Sequence, residues 1–179
     1  MPPKVKFEKE SIVNAAYKVV RKNGWEGLSA RSIAKELECS TGPIYSQLKS
    51  MENLVEEVLL KAWALFEKYM LTPTTGDKWM DQGIGYLRFA KDEKSLFKAI
   101  FDEKNNFQQR EIGVRTWMNL GKELSDYPLF KGLSDEMQLE IRASRWIFVH
   151  GMASLITNAH NLNTVKIDKD EMGYHMERI

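Results

Sequence analysis

From Leu28 to Leu54 the chain reads LSARSIAKELECSTGPIYSQLKSMENL, and this stretch limits the fold more than any other. Ser29 stands where a hydroxyl can accept backbone N–H groups that the first turn of a helix leaves without partners. Ile33, Ala34 and Leu37 follow at helical spacing and form one buried stripe. The methyl of Ala34 lets a second helix approach closely, which a larger side chain would prevent. Cys39 then reads as a small apolar plug after a tight turn, and Ser40 as a second cap. The next helix is expected from about Thr41 to Leu48, with Ile44 and Leu48 facing inward. Pro43 fits its first turn, where a missing N–H costs nothing. The spacing predicts a helix, a tight turn and a second helix.

A helix-turn-helix lays its second helix in the DNA major groove. On that expectation Thr41, Gly42, Pro43, Ser46 and Gln47 form the groove surface, small enough for the backbone to approach base edges, and Ser40 is a further DNA-binding candidate. Tyr45, Lys49, Ser29 and Arg31 would contact phosphates, with Arg31 also in reach of a base. The plainer reading is a pair of core helices with a short link. Charge supports the DNA reading: residues 1–50 hold nine Lys/Arg against five Glu, an excess of four in a chain whose net charge is +1. A basic head on a slightly acidic body suits phosphate contact, because released counterions drive such binding. Lys4 and Lys6 lie on a proline-led arm that reads either as a DNA-contacting extension or as a solvated start.

These residues resemble the N-terminal domain of the TetR family of transcriptional regulators. The resemblance begins with Ile12, Ala15, Ala16 and Gly24, and continues through Leu28, Ile33, Ala34, Ser40, Ile44, Tyr45, Glu52 and Leu54. It covers about residues 8 to 60. It implies a dimer that reads a roughly palindromic operator, with a C-terminal effector domain of variable sequence. Three positions depart from the pattern. Glu38 stands where the family usually has a turn glycine, and a left-handed backbone there would cost a non-glycine about 1 kcal/mol or a little more. Leu48 replaces a common phenylalanine. Met51 stands where a phosphate-gripping lysine is common, and Lys49 would have to supply that charge.

The remaining sequence predicts an all-α protein. Residues 1–50 are expected to form a three-helix DNA-binding domain, with the motif itself at about 31–50, and residues 51–179 a helical ligand-binding and dimerisation bundle. Helices are expected at about 8–23, 51–71, 77–91, 94–102, 108–125 and 134–160, with a last one from about 168. The chain is long enough, at 179 residues and 43% hydrophobic, to bury a sizeable core. It has no run of 18 apolar residues and no apolar signal segment, so neither membrane insertion nor secretion is expected and the cytoplasm is the default. A single cysteine leaves no internal disulfide.

Residues 146–156 (WIFVHGMASLI) are apolar nearly all round, where a helix with one buried side would show a polar face. This predicts cover on both sides, with a second subunit on one of them. A homodimer through about 134–160 and 168–179, with Met172, Met176 and Ile179 on the last helix, follows; a fully internal helix is the alternative. Residues 146–151 also resemble the C-terminal domain of one branch of the family. An apolar effector pocket is expected among Phe66, Tyr86, Phe89, Trp117, Trp146 and His150, although aromatic residues at helical spacing also read as plain core. The long helix 51–71 would carry the effector's influence to the DNA-binding head.

No nucleophile elbow, P-loop, dinucleotide fingerprint or zinc-protease motif occurs. His150, His160 and His175 offer no i, i+4 pair, so no metal, cofactor or catalytic residue is expected. An enzyme would need a site assembled in space. A third reading keeps the DNA-binding head but gives the body a protein partner in place of a small molecule. The resemblance to the TetR family implies a regulator that represses, binding double-stranded DNA as a dimer and released by a small molecule.

Overall fold

The structure, a computed structural model, describes residues 7–48, 50–102 and 107–158, with only the backbone at 107–109. The described residues form eight α-helices and two single 3-10 turns, with no strand among them. The helices are α1 (Lys9–Asn23), α2 (Ala30–Glu36), α3 (Gly42–Gln47), α4 (Met51–Met70), α5 (Lys78–Asp92), α6 (Lys94–Ile100), α7 (Phe107–Lys122) and α8 (Asp135–Asn158). The fold is all-α, and each helix lies where periodicity predicts one. The turns Trp25–Gly27 and Pro128–Phe130 were too short for any periodic signal. The expected helix from about 168, with Met172, Met176, Ile179 and His175, lies outside the described residues. So do His160, Lys4, Lys6 and Lys49.

The chain divides into two compact units. One comprises Met1–Ala64 with Lys94–Gly113, and the other Leu65–Glu93 with Val114–Ile179. The helix α4 is shared covalently between them.

In the first unit, α1 buries Ile12, Val13, Ala15, Ala16, Val19 and Val20, and ends at Gly24 with φ +70°. Ser29 caps α2 as expected: its hydroxyl accepts the Ser32 N–H at 3.1 Å, while Ser32 Oγ accepts the Ser29 N–H at 2.9 Å. This reciprocal pair satisfies two donors that the helix start would otherwise leave open. Ile33, Ala34 and Ile44 are buried, so the close approach of α2 and α3 rests on the Ala34 methyl. Helix α6 packs on α1, and the Trp25 indole donates to the Ala99 carbonyl at 3.2 Å.

In the second unit, α5 and α8 form the main helix pair. Carbonyls near the end of α7 receive donors from both: Gln82 Nε2 reaches Leu120 O at 2.9 Å, and Arg142 Nη2 reaches Trp117 O at 2.9 Å. A smaller core gathers Trp79, Leu124 and Phe130. The segment from Thr72 to Asp77 is fastened by the buried Asp81, whose carboxylate accepts from Thr75 N–H at 2.6 Å and from its hydroxyl at 2.8 Å. Asp77 in turn caps α5 through the Met80 N–H at 2.9 Å.

Candidate functional site

The turn between α2 and α3 decides how the second helix is presented. The Cys39 N–H bonds Ala34 O at 2.9 Å and the Glu38 N–H bonds Lys35 O at 3.2 Å. That pair is the Schellman closure of a helix end, which needs a left-handed residue at its centre. Glu38 supplies it with φ +52°, the one non-glycine positive φ among the described residues. The expected strain at this position is therefore present.

Ser40 does not cap α3. Thr41 occupies the cap position with helical dihedrals and no side-chain bond, so the helix starts one residue later than expected. Ile44 is fully buried and Leu48 half-buried, which turns the opposite face outward. Ser40, Thr41, Gly42 and Ser46 are exposed, Pro43 and Gln47 are half-buried, and Tyr45 is 70% exposed. No structural need accounts for so exposed a tyrosine ring. The Ser46 hydroxyl donates to Pro43 O at 2.9 Å and keeps its acceptor lone pairs free. Ser29 and Arg31 are exposed at the start of α2, two positions apart in sequence. Ser50, not singled out in the sequence, caps α4 by accepting the Asn53 N–H at 3.1 Å.

In the second unit the six residues expected around a ligand separate into three environments. Phe66, Tyr86 and Phe89 are buried and pack edge to face, with Phe66 centred 5.0 Å from Tyr86 and 5.2 Å from Phe89. Tyr86 also joins a polar group on α8: its oxygen lies 2.7 Å from His150 Nδ1, and Trp146 stacks on His150 at 5.4 Å. Burial pushes the Tyr86 phenol well above its ordinary pKa, and a hydrogen bond to Trp146 opposes that. An indole N–H can only donate, so the Tyr86 oxygen accepts from Trp146 and its O–H is left to donate to His150 Nδ1. Burial pushes His150 below its usual pKa, which suits a neutral ring accepting at Nδ1. Trp117 lies apart from these, half-buried beneath the Arg142 guanidinium.

A cleft of about 190 Å³ opens elsewhere in this unit, between Met70, Leu71, Pro73, Lys78, Asp81, Gln82 and Glu123. None of the six expected residues lines it, and it falls below the roughly 300 Å³ at which drug-sized pockets begin. Sequence reasoning also missed the two arginines of α8, each lying on an indole; their spacing, 142 and 145, was the available signal.

Along α8, Val149, Ala153 and Thr157 face inward. Ile147, Phe148 and Leu155 are 64%, 39% and 45% exposed, so no described residue covers one side of this apolar helix. Among the described residues no helix is long and apolar enough to cross a membrane, and no cluster of His, Cys, Asp and Glu could hold a metal.

Comparison with known proteins agrees with this geometry. Residues 12–58 match the family described as bacterial regulatory proteins, tetR family. No curated protein matches the chain. Among solved structures, a TetR-family transcriptional regulator from Vibrio parahaemolyticus is similar at 17% identity, covering 95% of each chain with a TM-score of 0.63. A TetR regulator from Streptomyces coelicolor is similar at 18% identity, over 96% of this chain and 84% of its own, with a TM-score of 0.65. A protein of unknown function from Rhodococcus sp. RHA1 is similar at 16% identity, over 99% and 96%, with a TM-score of 0.70. At such identities the likeness shows the fold alone. Residues 12–58, with the helix-turn-helix they contain, thus match the N-terminal DNA-binding domain of the tetR family of bacterial regulatory proteins.

Proposed function

We propose that this regulator is a repressor, binding a palindromic operator as a homodimer and leaving it when a small molecule occupies the body. The observation that carries the DNA part is the exposed face of α3. Ile44 anchors the helix while Tyr45, Ser46, Thr41 and Gly42 face outward. Gly42, Thr41, Pro43, Ser46 and Gln47 would meet base edges, with Ser40 at the margin. Tyr45, Ser29, Arg31 and Lys49 would hold phosphates, and Arg31 would reach a base as well. Base contacts give sequence preference, whereas phosphate contacts give register and affinity.

Dimerisation through α8 is supported by Ile147, Phe148 and Leu155, which stay exposed in a single chain. A C2 contact would cover them with the same residues of the second copy. Two heads so joined must reach successive major grooves, about 34–36 Å apart on one face of the duplex. A ligand that favours a dimer state with a different head spacing would release the operator. Helix α4, shared by the two units, is the natural lever. Tyr86, His150 and Trp146 would meet a ligand's polar end, with Phe66 and Phe89 as apolar walls, whereas Trp117 stands apart from this group. No catalytic residue is assigned.

The test is sedimentation and gel mobility of the full chain with DNA from its own upstream region. We expect two chains per site, and Ile147→Glu should give a monomer with at least tenfold weaker operator binding. One chain per site, or a variant that dimerises unchanged, would overturn the α8 interface.

A further inference from the structure

Arg142 and Arg145 stand three residues apart on α8, and so share a face. Each guanidinium lies on an indole, Arg142 4.3 Å from the centre of Trp117 and Arg145 3.9 Å from that of Trp79. Both side chains are half-buried. Arg142 gives one hydrogen bond, to Trp117 O at 2.9 Å. Arg145 gives none to a described residue, and neither arginine forms an ion pair with one.

Among the described residues, the groups that act on Arg145 are Tyr127, Asp77 and Arg142. Asp77 is the carboxylate that acts on Arg145, and its oxygens already accept from the Met80 N–H and, at 2.8 Å, from the Tyr127 hydroxyl. Tyr127 is neutral, its phenol raised by burial and by Asp77. Lys78, next to Asp77 in sequence, adds a further positive charge and donates to Glu123 O at 3.4 Å. The one carboxylate acting on Arg145 is thus already engaged by two donors. Burial pushes Arg145 down to about 10, and the neighbouring Arg142 pushes the same way, against Tyr127 and Asp77.

Half-buried like charges are costly unless something pairs with them. Stacking on an indole fixes a guanidinium's plane and leaves its N–H fork at the rim, the arrangement that takes an oxyanion through two parallel hydrogen bonds. Gly121 adds room: a Cβ there would fall 2.0 Å from the Arg142 guanidinium, so a glycine is what lets this side chain lie against α7. We propose that Arg142 and Arg145, held on Trp117 and Trp79, form a binding site for an oxyanion, the carboxylate or phosphate group of a small ligand.

The site does not depend on the repressor reading, since it is measured without DNA. Inorganic phosphate and acetate are titrated into the full chain, with sodium chloride at matched ionic strength as the control. Tryptophan fluorescence reports Trp79 and Trp117, and the arginine Nε–H resonances report the guanidiniums directly in the wild-type protein. We expect a saturable change absent with chloride, and two shifted arginine resonances. Arg145→Lys, which keeps the charge but loses the fork, should bind at least tenfold more weakly; Ser144→Ala, on an exposed position of α8, should bind as wild type. A stronger response to phosphate assigns a phosphate-bearing ligand, and a stronger response to acetate a carboxylate. No saturable change in the wild type, an equal change with chloride, or equal binding by Arg145→Lys would overturn the site. Should Arg145→Lys fail to fold, unshifted arginine resonances in the wild type would overturn it alone.

Discussion

The two units bury different chemistry. In the DNA-binding unit the fully enclosed side chains Ile12, Val20, Ile33 and Ile44 are aliphatic, and the polar residues assigned to DNA that the structure describes lie on or near its surface. In the other unit the buried set includes Asp81, Gln82, Glu93, Thr116 and Thr157, all five of the buried polar residues among those described. A buried polar group must find a partner, so its neighbours become hard to exchange. An aliphatic core tolerates exchange of what lies outside it. The first unit can therefore change its surface without refolding, whereas the second depends on polar pairs inside it.

Substitutions sharpen this contrast. The largest effect is expected from Phe89→Ala, which removes a fully buried ring contacting both Phe66 and Tyr69 and should cost about 3–5 kcal/mol. Urea unfolding would check it. Next comes Asp81→Asn, at about 1–3 kcal/mol, because Thr75 loses a charged acceptor. Burial raises the Asp81 pKa, but hydrogen bonds from Thr75, Thr74 and Gly76 outweigh it and hold the carboxyl below its ordinary value. A lowered folded pKa contributes stability that is complete above the unfolded value, about 3.9, and is lost as pH falls through the folded one. Unfolding measured below pH ~4 should then show a steeper acid limb for the wild type than for Asp81→Asn.

Tyr86→Phe is expected to cost about 1 kcal/mol, since it removes the hydroxyl's hydrogen bond to His150 Nδ1. In the first unit, Glu38→Gly should stabilise the chain by less than about 1 kcal/mol, relief of left-handed strain being offset by a more flexible unfolded chain. A loss of stability on Glu38→Gly would mean that the carboxylate makes a contact worth more than the strain. Tyr45→Phe should leave the melting temperature unchanged, its ring being 70% exposed, while weakening DNA binding.

The first unit was the more legible because its signals are local. Ser29, Ala34, Glu38 and Pro43 act within a few residues of themselves, so cap, close approach, strained turn and helix start could each be read in order. Where this failed, at Ser40, the choice lay between adjacent hydroxyls, and Thr41 took the position without using its side chain. The second unit depends on pairs far apart in the chain. Tyr86 meets His150 across 64 residues and Gln82 meets Leu120 across 38. Periodicity placed these helices and their apolar faces but could not say which helices would be neighbours. It likewise gave no reason for α6 to pack with α1, or for Arg145 to lie on Trp79.

The central claim is that α3 reads DNA sequence while its flanks hold phosphate. The most direct measurement compares wild type, Tyr45→Phe and Gln47→Ala on a selected operator and on random DNA, each titrated with salt. The account predicts tight, selective wild-type binding with a steep salt slope, a loss of about three to five decades between 50 and 200 mM for six to ten phosphate contacts. Tyr45→Phe should weaken both DNAs alike, and Gln47→Ala should chiefly change which sequence is preferred. Equal loss on every DNA for both variants, or wild-type binding no tighter on the operator than on random DNA, would contradict it.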